Sequence, residues 1–150
     1  MKKGILICSI MAIAFMSTSF ANGNDDISNS IINSFKQEFQ NAKILNSEKF
    51  DKYIKLTFKS NDQVMFAYYT SNAELLAVTR NILSSELPVS LLKSLKKNYS
   101  GYWITDLFNI STNDESAYYV RIESPESTVV LVSEEGSNWQ VYQKQKKTLE

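Results

Sequence analysis

Two stretches of this chain repeat one pattern 60 positions apart, and the repeat restricts the folds open to it. Residues 28–44 read SNSIINSFKQEFQNAKI, and residues 87–104 read LPVSLLKSLKKNYSGYWI. Without a gap, Ile31, Ile32, Phe35, Phe39 and Ile44 align with Leu91, Leu92, Leu95, Tyr99 and Ile104. Apolar residues recurring every fourth position share one face of a helix, so each stretch reads as an amphipathic helix leading into a strand. The first helix is expected over about 27–40. The second opens at Pro88, whose missing N–H costs nothing in a first turn, and Gly101 can supply a left-handed ending.

After each helix the period falls to two. Ile54, Leu56 and Phe58 alternate with Tyr53, Lys55 and Thr57, and the turn residues Ser60, Asn61 and Asp62 lead into a returning strand over 64–69. Residues 74–80 read as a third strand, with a short helix as the rival, since Glu, Ala and Leu favour helices. In the second half, strands are expected over 102–110, 118–123, 128–133 and 138–143, with turns at Pro125 and Gly136. Allowing a longer loop, Tyr53, Ile54, Lys55 and Leu56 pair with Tyr119, Val120, Arg121 and Ile122, and Val64 and Phe66 pair with Val129 and Leu131. One helix-plus-four-strand unit has too small a core to be secure. Two can join edge to edge into one antiparallel sheet of about eight strands with both helices on one face, an α+β fold. The expected division is repeat one over 27–83 and repeat two over 84–147.

The N-terminus has its own character. Met1, Lys2 and Lys3 precede an apolar run over 5–15, and Ser19 and Ala21 are small, which reads as a signal peptide over 1–21. Residues 22–26 (NGNDD) read as a flexible leader. Cleavage would remove Cys8, leaving no cysteine, which suits a periplasmic or secreted location. It would also leave 14 basic and 16 acidic residues, a net charge of −2, and no integral membrane segment. That balance gives no strong field for nucleic acid or anionic membrane, and the basic tail of Lys144, Lys146 and Lys147 reads as a solvated end.

The chain has no histidine, so Ser–His–Asp and Cys–His catalysis and most zinc sites are absent. Beyond the signal peptide its glycines are Gly23, Gly101 and Gly136, too few for a phosphate-cradling loop. Asp114 and Glu115 lack calcium-loop spacing, and Glu134 and Glu135 sit in a turn as solvated carboxylates. No catalytic, metal or cofactor-binding residue is assigned, and the chain reads as a non-enzymatic binding protein. If the helices cover the face of Ile54, Leu56, Phe66, Val120, Ile122 and Leu131, the other carries Tyr53, Lys55, Tyr69, Tyr119, Arg121 and Tyr142. Tyrosine offers a large contact area at low entropic cost, so these six are the candidate surface for a protein or peptide partner. Cross-strand tyrosines also stabilise a solvated sheet without binding anything.

Residues 68–104, with YYTSNAELLAVTRNILSSELPVSLLKSLKKNYSGYWI at the joint between units, resemble the β-lactamase-inhibitor-like, PepSY-like family of small secreted bacterial proteins. The likeness extends over nearly all of the chain after the signal peptide. Asn72-Ala73 stand where that pattern has a turn glycine. The resemblance implies an eight-stranded antiparallel sheet with helices on one side, an extracytoplasmic location and no established activity. Inhibition of a secreted or periplasmic protease or β-lactamase, or carriage of a small molecule between helix and sheet, are the alternatives to protein binding.

Overall fold

The computed structural model describes residues 27–148; the expected signal peptide (1–21) and leader (22–26) lie outside the described residues, as do Leu149 and Glu150. The elements are α1 (Asn29–Glu38), β1 (Lys43–Lys49), β2 (Ile54–Ser60), β3 (Gln63–Tyr69), β4 (Leu75–Asn81), α2 (Val89–Asn98), β5 (Trp103–Ser111), β6 (Ser116–Glu123), β7 (Ser127–Ser133) and β8 (Gln140–Lys146), with a 3₁₀ turn at Ser84–Glu86 before α2. The strands form one eight-stranded sheet in chain order, with every neighbouring pair antiparallel. The 74–80 stretch is strand, because β3 and β5 satisfy its backbone on both sides.

Both helices lie on one face. Ile31 and Phe35 of α1 pack with Leu56, Phe58, Ala67 and Tyr69. Leu91 and Leu95 of α2 pack with Leu107, Val120, Ile122, Val129 and Leu131. The register makes this one continuous face across the joint: Ala67 faces Val78, Val78 faces Ser111, and Arg80 faces Asn109, which in turn faces Tyr118.

The two halves match in detail. α1 and α2 start and end 60 residues apart, and Ile31 and Phe35 are buried as Leu91 and Leu95 are. The strand after each helix carries a bulge at the same place, Leu45 in β1 and Thr105 in β5. From the second strand of each half the offset becomes 64, since Asn46 faces Thr57 and Asp106 faces Arg121. The expected pairing of Tyr53 with Tyr119 is therefore two residues out; the structural equivalent of Tyr119 is Lys55. That slip is even, so it leaves the faces unchanged.

The expected pairing of Phe66 with Leu131 is one residue out, and this matters more. The pair Lys59–Val64 in the first hairpin stands where Glu123–Thr128 stands in the second, so Ala67 corresponds to Leu131 and Phe66 to Val130. A one-residue slip sends every side chain of a strand to the other face. Phe66 thus points away from the helices, and Tyr69 packs beneath α1.

The ends and turns follow local chemistry. Ser28 caps α1, its hydroxyl facing the Ile31 N–H. Gly101 does not supply a left-handed ending: α2 stops at Tyr99, whose N–H donates to the Leu95 carbonyl, and Gly136 is the described glycine with positive φ. Asn61 (φ 49°) and Asp62 (φ 63°) form the two-residue β2–β3 turn, a pair suited to the hairpin twist. Ala73 (φ 65°) also holds a left-handed conformation, in a loop where the Thr70 hydroxyl accepts from the N–H groups of Asn72 and Glu74.

Candidate functional site: the uncovered face of the sheet

Alternation along each strand assigns the face opposite the helices. β2 contributes Lys55 and Thr57, with Tyr53 just ahead of it, and β3 contributes Val64, Phe66 and Tyr68. β5 contributes Trp103, Asp106, Phe108 and Ile110, and β6 contributes Ala117, Tyr119, Arg121 and Glu123. β7 adds Val130 and Val132, and a bulge in β8 leaves Tyr142 against Tyr119.

Among the described residues no helix residue belongs to the apolar cluster on this face, yet its centre is dry. Tyr53, Tyr68, Ala77, Phe108, Ile110, Ala117, Tyr119, Val130 and Val132 are all buried, with Phe66 and Leu76 packed against them. Neighbours on the same face exclude the water. The sheet therefore has a third core, made of its own side chains, on the side opposite α1 and α2.

Five of the six candidate residues lie here. Tyr53 is 8% exposed, stacked on Phe50 at 4.6 Å and tilted against Tyr68 at 5.8 Å. Burial, with Tyr68 and Glu48 nearby, pushes its phenol up to about 12. Lys55 pairs with Glu48 at 2.9 Å and sits over the Phe66 ring at 5.0 Å. Tyr119 is 1% exposed and stacked on Phe108 at 5.5 Å. Arg121 reaches Asp106 at 3.8 Å and Glu123 at 3.7 Å. Tyr142 is 36% exposed, with its ring edge-on to Tyr119 at 6.3 Å.

Tyr69 is the exception and corrects the expectation. It is fully buried under α1, and its hydroxyl has no hydrogen-bond partner. Burial, then the charge of Glu38, pushes its phenol up to about 12. The open-face tyrosine of β3 is Tyr68, whose phenol is raised by burial while the Thr79 hydroxyl bonds to it. Tyr53 and Tyr119 form the floor of the face, and a partner would meet them only through residues above.

The exposed aromatics on this side include two that sequence reasoning passed over. Phe50, just after β1, is 41% exposed and lies flat on Tyr53. Trp103, at the start of β5, is 50% exposed. The signals were present: Phe50 flanks a tight connection closed by its N–H donating to the Tyr53 carbonyl, and Trp103 has the parity of Asp106 only once the Thr105 bulge is allowed for. A row of charge borders Trp103. Glu123 accepts from Lys147 at 2.7 Å, and that hydrogen bond, with the Lys147 and Arg121 charges, holds its carboxyl below the usual range.

The helix side holds a separate pocket of about 160 Å³ between the start of α1 and strands β1 and β2, lined by Ile27, Ile31, Ile54, Ser47, Glu48 and Lys49 among others. It is smaller than the ~300 Å³ at which small-molecule sites usually begin.

No family model and no curated protein matches the chain. Solved structures do. A BLIP-like protein from Bacteroides fragilis superposes with a TM-score of 0.71 at 18% identity, covering 88% of this chain and 94% of that one. A proposed periplasmic protein from Bacteroides eggerthii gives 0.70 at 12% identity, covering 81% and 90%. A DUF2874 family protein from Bacteroides uniformis gives 0.70 at 10%, with the same coverage. These likenesses support the β-lactamase-inhibitor-like part of the resemblance read from the sequence; its PepSY part stays an expectation. The chain has the α+β fold of the BLIP-like proteins, two helices laid on one face of an eight-stranded antiparallel sheet.

Proposed function

We propose that the protein is an extracytoplasmic, non-enzymatic module that binds a protein or peptide through the uncovered face of its sheet. One observation carries this reading: that face bears exposed aromatics, Phe50 and Tyr142 set on a dry aromatic floor and Trp103 at its end. Rigid rings anchored by stacking lose little entropy when a partner covers them, which suits them to hot spots. Lys55, Arg121, Asp106 and Glu123 edge the floor and can fix orientation. A periplasmic location agrees with the signal-like residues 1–21 and with the proposed periplasmic neighbour; among the described residues no helix is long and apolar enough to cross a membrane.

The test is capture from periplasmic extract with wild type, Phe50→Ser and Tyr142→Ser. Loss of the same partner from both variants, with unfolding midpoints unchanged, supports the reading. Recovery of every partner at wild-type yield by both variants removes it. The shared fold with a BLIP-like protein favours one second reading, inhibition of a β-lactamase or protease. Unchanged hydrolysis at micromolar protein would dispose of that.

A further inference from the structure

The near-neutral net charge conceals a polar distribution in the second half. At one end of its strands lie the β5–β6 loop, with Asp114 and Glu115, and the β7–β8 loop, with Glu134 and Glu135. At the opposite end β5 and α2's last turn come together with the end of β8. Trp103 faces Glu123, Glu123 faces Thr128, Thr128 faces Gln145, and Ser127 faces Lys146. The Tyr102 hydroxyl meets the Ser127 hydroxyl at 2.9 Å, and Lys144 is close enough to Tyr102 to act on its phenol. Tyr99, packed on Tyr102 at 5.7 Å, follows the α2 turn that carries Lys96 and Lys97.

This end therefore gathers Lys96, Lys97, Lys144 and Lys146, all exposed, and among the described residues none of the four makes an ion pair. Lys147 adds a fifth, held by Glu123 at 2.7 Å with its ammonium 5.5 Å from the Trp103 ring. Among the described residues the acids at this end are Glu123, already paired, and Glu126. Two exposed apolar side chains stand at this end on opposite faces of the sheet, Trp103 at 50% beside Lys147 and Ile104 at 42% on the side of Lys144 and Lys146. Lysines suit a helix C-terminus and guard an edge strand, which accounts for their positions singly. Neither reason leaves Trp103 and Ile104 in water beside them. The first half shows the contrast: its equivalents are Lys36, Gln37, Phe39, Ala42, Lys43 and Ile44, with no tryptophan or tyrosine and fewer charges.

We infer that this end of the second repeat docks on an anionic lipid surface, with Trp103 and Ile104 entering the headgroup layer and the lysines above the phosphates. Tryptophan and tyrosine favour that interface, and basic side chains near a negative leaflet add attraction additively. The contact is peripheral and leaves Phe50 and Tyr142 free, so its failure would not touch the partner-capture test.

The experiment is co-sedimentation of protein recovered from the periplasmic fraction with phosphatidylcholine vesicles, alone or with about 30% phosphatidylglycerol. Expected is binding to the anionic vesicles that weakens with salt, little binding to the neutral ones, and a blue shift of tryptophan emission that Trp103→Ser abolishes. Lys144→Gln with Lys146→Gln should weaken binding by about 25-fold, at about fivefold per lysine. Those two sit on an exposed edge strand, so this variant keeps its fold even if Trp103→Ser does not. Equal binding to both vesicle types, or no binding at low salt, overturns the proposal. So does binding to soluble polyglutamate that is as tight as to vesicles and indifferent to Trp103→Ser with Ile104→Ser, which would identify an acidic macromolecule instead.

Discussion

The buried centre beneath α1 is built on rings, whereas beneath α2 the buried residues are aliphatic and the aromatics Tyr99, Tyr102, Tyr118 and Trp139 only flank them, although the two halves share one backbone plan. Phe35 meets Phe39 and Phe58 at 5.1 Å each, and Phe39 meets Phe58 at 4.7 Å. At the equivalent places the second half has Leu95, Tyr99 and Ile122. The difference in bulk is made up elsewhere: Ala67 lies in the first core where Leu131 lies in the second. What is repeated is the pattern of burial and the filled volume, while the residues that fill it vary, as close packing permits.

The sharpest way to break that comparison is to empty both cores at one equivalent position. Phe35→Ala should cost about 3–5 kcal/mol and Leu95→Ala about 2–5 kcal/mol, with Phe35 the larger because two ring contacts go with it. Urea unfolding of the two variants measures this directly. A greater loss from Leu95→Ala would mean that the aromatic trio is looser than its geometry implies.

The turn that follows the third strand of each half gives a smaller contrast of opposite sign. Gly136 (φ 68°) takes the left-handed conformation freely in the second half, whereas Ala73 (φ 65°) takes it in the first. A side chain there costs ~1 kcal/mol or somewhat more. Ala73→Gly should therefore stabilise by about 1 kcal/mol and Gly136→Ala should destabilise by about as much. A Cβ at Gly136 would meet Pro88 at 3.6 Å and Tyr118 at 3.7 Å, ordinary contacts, so the cost is in the backbone alone. Thermal melts in which both substitutions destabilise would show that Thr70 and its hydrogen bonds to Asn72 and Glu74 select alanine.

Periodicity made the helices, the strands and their duplication legible, because each apolar stripe answers to one geometry. It could not fix a register. Alternation alone exchanges Phe66 and Tyr69 between faces, because Val64–Phe66 can be slid by one residue without spoiling it, and only the Ser60–Gln63 hairpin closure decides. Nor could alternation tell that the uncovered face shields its own centre. Alternation puts Tyr53 and Tyr119 on the face where they lie, but their burial depends on a cluster that spans β2 to β7. The basic tail was legible as lysines but not as a patch, since Lys96 and Lys97 join it only through Tyr102 and Ser127.

The smallest contrast is also the most local. Among the described residues two buried hydroxyls lack partners, Tyr69 in the first half and Ser133 in the second, and the 64-residue offset makes them the same position. A buried hydroxyl without a partner costs more than it contributes, so Tyr69→Phe, which keeps the ring under α1, should be stabilising by up to about 1 kcal/mol near neutral pH. The pH dependence separates this from a packing effect. The Tyr69 phenol is raised from 10.0 to about 12 in the fold, so between those values the unfolded chain loses its proton while the folded one keeps it. The stability linked to that proton is complete below pH 10 and is lost as the pH rises through about 12. Phenylalanine has no proton to lose, so the advantage of the variant should widen across that window; Tyr53, raised to about 12 as well, contributes equally to both proteins and cancels. A gap between variant and wild type that stays constant from neutral pH to pH 12 would mean that the Tyr69 hydroxyl finds water or a partner under α1, and that this half is less tightly closed than its counterpart.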